Sequence, residues 1–167
     1  MPSQTKINIT IDGKTLSATL AENNATSALI ERLNDGPITI TMKNYGGFEK
    51  VGALPWSLPA SDRLITTNPG DIMLYSGNNI VIFYGQNTWA YTPLAILETT
   101  NPAEIKDFLG SIDKQVTFSL AKDSSIEEIN IDHYTKENVY SLDGKLITQR
   151  PLMSGVYIID TKKILIK

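Results

Sequence analysis

The stretch that decides the fold is "DIMLYSGNNIVIFYG", residues 71–85. Two apolar runs flank Ser76-Gly77-Asn78-Asn79, residue types that accept the backbone of a tight reversal, and together they predict two paired strands. The second run, "IVIFY", is apolar at every position, so both its faces are read as covered and it is expected to be a central strand. Working outward, "KINITIDGKTLSATL" alternates apolar and polar residues on both sides of Asp12-Gly13 and predicts a hairpin. "PITITM" alternates again, and "NTWAYTPLAIL" and "KQVTFSL" continue the sheet. Helical spacing occurs twice. Ala25, Ala28, Leu29 and Leu33 follow Asn23 or Asn24 as cap, with Gly36 to end the helix. Ile105, Phe108 and Leu109 follow Asn101 as cap, Pro102 and Glu104, with Gly110 as stop. About seven strands against two short helices predict a mainly β fold, a closed antiparallel β-barrel.

At 167 residues and 41% hydrophobic content, the chain can bury one real core and carry a small appendage. The net charge of -3, without a sustained basic stripe, argues against nucleic acid as a partner. The absence of cysteine excludes disulfides, thiolate metal sites and a cysteine nucleophile. No window approaches the roughly 18 apolar residues of a membrane span, and "MPSQTKINITIDG" has no apolar signal core. No cofactor is expected. Past Leu120 the texture changes, so residues 4–120 are read as the barrel and 121–137, polar and weakly periodic, as a linker. Residues 138–167 form a small β-rich appendage of two hairpin-like units, turning at Asp143-Gly144 and around Thr161-Lys162. His133, the single histidine, falls in the linker without a ligand-spaced carboxylate, so no metal site is expected.

The segment "KNYGGFEKVGALPWSLPASD", residues 43–62, interrupts all periodicity and is expected to be a long, irregular, functional loop. Gly46 and Gly47 either let a bound peptide approach closely or occupy a tight turn that only glycine fits. Tyr45, Phe48, Trp56, Tyr75, Phe83, Tyr84, Trp89 and Tyr91 gather most of the aromatics, divided between core filling and the wall of an apolar groove. The expected ligand-binding set is Tyr45, Gly46, Gly47, Phe48, Glu49, Trp56, Tyr75, Phe83 and Trp89. Adjacent Glu49 and Lys50 point to opposite faces of a strand and cannot form one acid-base couple; they read as an exposed charged step. Asp62 and Arg63 are expected to cap or pair locally, and Asp71, after Pro69-Gly70, to serve a turn. Ser57, Ser61 and Ser76 have no histidine within the barrel to activate them, and no Gly-x-Ser-x-Gly elbow exists, which argues against a serine hydrolase.

The "YGGFEKVG" block, the "LP" and "SD" pairs that follow it, the blocks "PGDI" and "IVIFYG", and the closing helix and strand resemble the bacterial cyclophilin-like domain family. The likeness runs from about Lys6 to Leu120 and implies a compact barrel related in fold to peptidyl-prolyl isomerases. Some members resemble domains fused to or beside flavodoxins, which implies a flavodoxin-type neighbour. Cyclophilins resemble one another in a groove arginine beside a Phe-containing apolar pocket. Here Phe83 matches the groove phenylalanine, but Ile82 stands where the motif has glutamine, and neither Arg32 nor Arg63 lies in an F-x-R strand context. No catalytic residue is expected, and Arg63 is the candidate only under the isomerase alternative. Losing a charge-assisted donor removes about 1.5 to 3 kcal/mol, and each 1.36 kcal/mol is about tenfold in rate. The resemblance thus implies a binding module that holds an extended or proline-containing peptide in an apolar groove with little or no isomerase activity. The alternatives are an active peptidyl-prolyl isomerase or small-molecule enzyme, and a surface-displayed interaction domain. The segments "VYSLDGKLI" (139–147), "LMSGVYII" (152–159) and "KKILIK" (162–167) resemble the C-terminal sorting domain of type IX secretion substrates in Bacteroidetes. That resemblance implies export to the periplasm or cell surface from a precursor bearing a signal; without it the expected location is cytoplasmic.

Overall fold

A computed structural model describes residues 4–121, 127–128, 139–147, 155–159 and 162–166, and the chain divides into two compact units, 1–121 and 122–167. In the first, β1 (Lys6–Ile11) and β2 (Lys14–Leu20) pair antiparallel with Ile11 opposite Lys14. Asp12 and Gly13 between them both take positive φ, 49° and 78°, the backbone that matches strand twist in a two-residue turn. Helix α1 (Asn24–Asn34) begins at Asn23, whose side chain accepts from Thr26 N while Thr26 Oγ1 accepts from Asn23 N. Then follow β3 (Ile38–Tyr45), β4 (Glu49–Ala53), β5 (Arg63–Thr66), β6 (Asp71–Tyr75), β7 (Asn79–Phe83) and β8 (Thr88–Leu97). Helix α2 (Pro102–Leu109), capped by Asn101 and ended by Gly110 at φ 74°, leads into β9 (Lys114–Leu120).

The strands run in the order β2-β1-β9-β3-β4-β7-β6-β8, and β8 pairs back onto β2 through Ala18↔Leu97, Thr19↔Ile96 and Leu20↔Ala95. The result is a closed eight-stranded antiparallel barrel with two helices, and β5 lies along the first half of β8. Closure leaves none of the eight barrel strands at an edge, while β5, paired with β8 alone among the described residues, keeps one side unpaired. The main core gathers Ile7, Ile9 and Ile11 of β1, Leu29 and Leu33 of α1, Ile105 and Leu109 of α2, and Ile80 and Ile82 of β7. On its other face β7 presents Val81 and Phe83, which join Met73 and Tyr91 in a second, smaller cluster. Burial on both faces is the physical reason that "IVIFY" carries no polar residue. The β6–β8 ladder shifts register between Ile72 and Met73, which face Ala95 and Pro93. The bulge falls where Pro93 has no amide hydrogen to give, while Pro93 O accepts from Asn23 Nδ2 at 2.8 Å and ties the helix cap to the barrel wall.

Two strands, β4 and β5, go beyond the sequence expectation, so the supposed irregular segment 43–62 is a strand end, a turn, a strand and a shorter loop at 54–62. That loop is laced down. Leu54 N and Leu58 N donate to Asn78 O and Gly77 O, both at 2.7 Å. Ser61 N donates to Thr92 Oγ1, which in turn donates to Asp62 Oδ1.

In the second unit, β10 (Glu127–Glu128), β11 (Val139–Tyr140), β12 (Leu146–Ile147), β13 (Gly155–Ile159) and β14 (Lys162–Ile166) are ordered β10-β14-β13-β11-β12. Strands β11 and β12 reverse over Asp143-Gly144, with Gly144 at φ 86°. Ile159 pairs with Lys162, and the expected second reversal around Thr161-Lys162 falls partly outside the described residues. Most of the expected linker 121–137, His133 included, also lies outside them. Among the described residues no helix is long and apolar enough to cross a membrane, and no group of three His, Cys, Asp or Glu could hold a metal ion.

Candidate functional site

Strand β4 organises the site. Tyr45 of β3 is paired with Glu49, which is paired across β4–β7 with Phe83; Val51 is likewise paired with Val81. Paired residues share a face of the sheet. Tyr45, Glu49 and Val51 therefore emerge on the side of the second cluster, away from the main core. From β6 and β8 the same side receives Tyr75, Trp89 and Tyr91, and they close on a cavity of about 760 Å³. Its lining is Tyr45, Gly46, Phe48, Glu49, Val51, Tyr75, Asn79, Asn87, Trp89 and Tyr91. The rings form an edge-on series: Tyr45 to Phe48 at 6.2 Å, Tyr75 to Tyr91 at 6.1 Å, and Phe83 beneath Tyr91 at 5.3 Å. Tyr45 and Trp89 remain 64% and 57% exposed.

The β3–β4 connection is set by glycine. Gly46 and Gly47 both lie at positive φ, 63° and 74°. A Cβ on Gly46 would stand 2.2 Å from Phe48 Cε1, whereas one on Gly47 would meet nothing within 4 Å. Both glycines thus serve a tight turn, and only Gly46 borders the cavity. The carbonyl of Phe48 accepts from Tyr84 N and Gly85 N at 2.9 and 3.0 Å, which staples the turn to the end of β7.

Glu49 and Lys50 do not form the exposed charged step that the sequence suggested. They point to opposite faces as expected, but Glu49 is 8% exposed and Lys50 is fully buried. Lys50 Nζ donates to Ile112 O at 2.7 Å and to its cross-strand partner Asn44 Oδ1 at 3.1 Å, with Gly110 O at 3.4 Å. Burial lowers the pKa of its ammonium; Asp113 opposes the shift and Lys114 reinforces it. Glu49 Oε2 is buried and has no hydrogen-bond partner among the described residues. Desolvation by burial pushes its carboxyl up to about 7. Burial also raises the phenols of Tyr84 and Tyr91, and the Glu49 charge adds to both shifts; at Tyr91 a hydrogen bond from Asn87 Nδ2, 2.7 Å long, acts the other way.

Of the expected site residues, Tyr45, Gly46, Phe48, Glu49, Tyr75 and Trp89 converge on the cavity. Phe83 supports it from behind as fully buried packing. Trp56 is elsewhere: it packs on the main core with the Arg32 guanidinium 5.6 Å above its ring. Arg63 is exposed on β5, opposite Tyr91 in the ladder, and does not line the cavity. Asp71 serves its turn, with Oδ2 accepting from Asn68 N at 2.8 Å. Val51, Asn79, Asn87 and Tyr91 lie outside the expected binding set, although Tyr91 is among the aromatics divided between core and groove wall. The signal for two of them was present, because residues two apart on a strand share a face and Val51 and Tyr91 follow Glu49 and Trp89 at that spacing.

The family model for the cyclophilin-like family matches residues 9–121, from within β1 to the end of the barrel unit. The chain belongs to the cyclophilin-like family. Among solved structures, the cyclophilin-like barrel is similar to the solution structure of a hypothetical protein from Archaeoglobus fulgidus. That likeness has a TM-score of 0.47 and 14% identity, over 71% of this chain and 95% of the other. No curated protein matches.

Proposed function

We propose that this cyclophilin-like barrel is a binding module that holds an extended or proline-containing peptide segment, with little or no isomerase activity. The observation that carries the proposal is the convergence of Tyr45, Phe48, Tyr75, Trp89 and Tyr91 from three strands and one turn on a single cavity. Its volume of about 760 Å³ falls in the range of roughly 300 to 1,000 Å³ usual for ligand sites. Rigid rings bury large area at low entropy cost and stack well on prolyl rings. Isomerisation needs interactions stronger on the twisted amide than on the planar one. Among the described residues no arginine or lysine lines the cavity to supply a charge-assisted donor for it.

Isothermal titration against a library of proline-containing peptides is expected to give saturable binding that Trp89→Ala weakens about tenfold or more. Absence of binding by every peptide at millimolar concentration would remove the proposal. A protease-coupled isomerisation assay is expected to run near the uncatalysed rate and to be unchanged by Arg63→Ala.

The likeness of 139–147, 152–159 and 162–167 to a type IX sorting domain supports a second reading, an exported and surface-displayed interaction domain. Mass spectrometry of cell-surface and cytosolic fractions tests it: the chain at the surface, cleaved ahead of the tail, is expected, and intact chain confined to the cytosol defeats it.

A further inference from the structure

We propose that the cavity is a cation site in which Glu49 receives the ammonium of a lysine side chain while the surrounding aromatic rings line its alkyl stem. The carrier of that lysine rests on the peptide reading above; the cation site itself does not.

Among the described residues lining the cavity, Glu49 is the one that is charged, and no lysine or arginine joins it there. Its Oε2 is buried without a hydrogen-bond partner among the described residues. A buried acceptor left unpaired is costly, and a ligand donor placed there recovers the cost. The nearest cation in sequence cannot do so: Lys50 is turned to the opposite face and already donates to Asn44 Oδ1 and Ile112 O. The rest of the wall suits an alkylammonium. Tyr45, Phe48, Tyr75, Trp89 and Tyr91 offer aromatic faces and edges, and faces of this kind attract an ammonium within about 6 Å. An anionic ligand would meet the carboxylate head-on, and a purely apolar one would seal it in unpaired, so the lining discriminates by charge.

Capture of a cation by a carboxyl that titrates near neutrality is coupled to proton release. Burial has pushed Glu49 to about 7, so near that pH much of the ligand-free protein carries the proton, and an arriving ammonium displaces it. The other titratable or charged groups that the described strands carry on this side are the phenols of Tyr45, Tyr75 and Tyr91, the ammonium of Lys43, paired with Val51, the carboxylate of Asp71, two residues before Met73 on β6, and the guanidinium of Arg63, opposite Tyr91; the phenol of Tyr84 also feels the Glu49 charge. Among the described residues no second carboxyl lines the cavity.

The test titrates the full chain with acetyl-Ala-Pro-Lys-Ala-amide and with its norleucine counterpart, which lacks the ammonium. At about pH 8 the lysine peptide is expected to bind about tenfold tighter or more, and the preference to shrink toward about pH 5.5 as Glu49 takes up its proton. Glu49→Gln is expected to bring the ratio to about one. Equal affinities in the wild type, or a preference that survives in Glu49→Gln, would overturn the site. Should that variant fold poorly, calorimetry of the wild type at about pH 6.5 in buffers of different ionisation enthalpy decides instead: net proton release is expected, and none overturns it. n-Butylammonium against 1-butanol separates the two proposals. Butylammonium shifting the Trp89 and Tyr45 resonances where neither peptide binds retains the cation site and removes the peptide reading. A norleucine peptide binding as well as the lysine one does the reverse.

Discussion

Glu49 and Lys50 are neighbours in β4 that bury opposite charges on opposite faces of one strand, and only one of them is provided for. Lys50 Nζ finds two carbonyls and an amide oxygen, whereas Glu49 Oε2 finds no partner among the described residues. The asymmetry separates a satisfied ion from an unsatisfied one, and it fixes the sign of a pH effect. In the unfolded chain Glu49 ionises near its ordinary 4.5, and in the folded one near 7. Between those values the folded state holds a proton that the unfolded state has lost, so the Glu49 contribution to stability falls as pH rises through this window and is level on either side. A shift of this size corresponds to roughly 3 kcal/mol. Glu49→Gln is therefore expected to match the wild type near pH 4.5 and to exceed it by about 2 to 3 kcal/mol above about pH 7. Urea unfolding across pH, followed by fluorescence, checks this, since both tryptophans, Trp56 and Trp89, lie in the barrel. A variant no more stable than wild type at alkaline pH contradicts it.

Lys50→Met keeps the stem and removes the ammonium, leaving Ile112 O and Asn44 Oδ1 without their donor. The expected loss is about 2 to 4 kcal/mol of stability. Because the side chain points away from the cavity, peptide affinity measured by titration on the folded variant is expected to stay within about twofold of the wild type.

The two turn glycines are expected to respond differently to alanine. At Gly47 the added Cβ has open space and the variant carries only the strain of a left-handed alanine, about 1 to 2 kcal/mol. At Gly46 the same strain comes with a Cβ driven into the Phe48 ring, so the ring moves and one wall of the cavity moves with it. Thermal melts should show a larger loss for Gly46→Ala, and titration should show weakened binding there alone.

Phe83→Ala and Trp89→Ala divide packing from recognition. Phe83 is fully buried against Tyr91, and its truncation is expected to cost about 3 to 5 kcal/mol. Trp89 is more than half exposed, so its loss is expected to cost under about 1 kcal/mol of stability while reducing peptide affinity. Equal stability losses in the two variants would contradict the assignment of Trp89 to the cavity wall rather than the core.

Much of the barrel was legible because local chemistry and global fold agree over most of its length. Asp12-Gly13 could only be a hairpin turn, Asn101-Pro102 and Gly110 bracket α2, and "IVIFY" announces burial on both faces. Strand β4 was illegible because "EKVGA" breaks the alternation in every way available. Two charges are buried, and Gly52 is required because a Cβ there would sit 2.7 Å from Met42 Cγ. Strand β5 is four residues long with Leu64 exposed, so it lacks an apolar face to read. At the site, the aromatics of the β3–β4 turn and of β8 were visible as a surplus of rings. Trp56 misled, since nothing in "LPWSLP" reveals that its ring lies beneath Arg32 of a helix far away in sequence.

The staple at Phe48, whose carbonyl holds the amides of Tyr84 and Gly85, means that this wall is standing before any guest arrives. A host built in advance surrenders little configurational freedom on capture. Tighter and weaker guests will then arrive at similar speeds, and what distinguishes them will be how long each one stays.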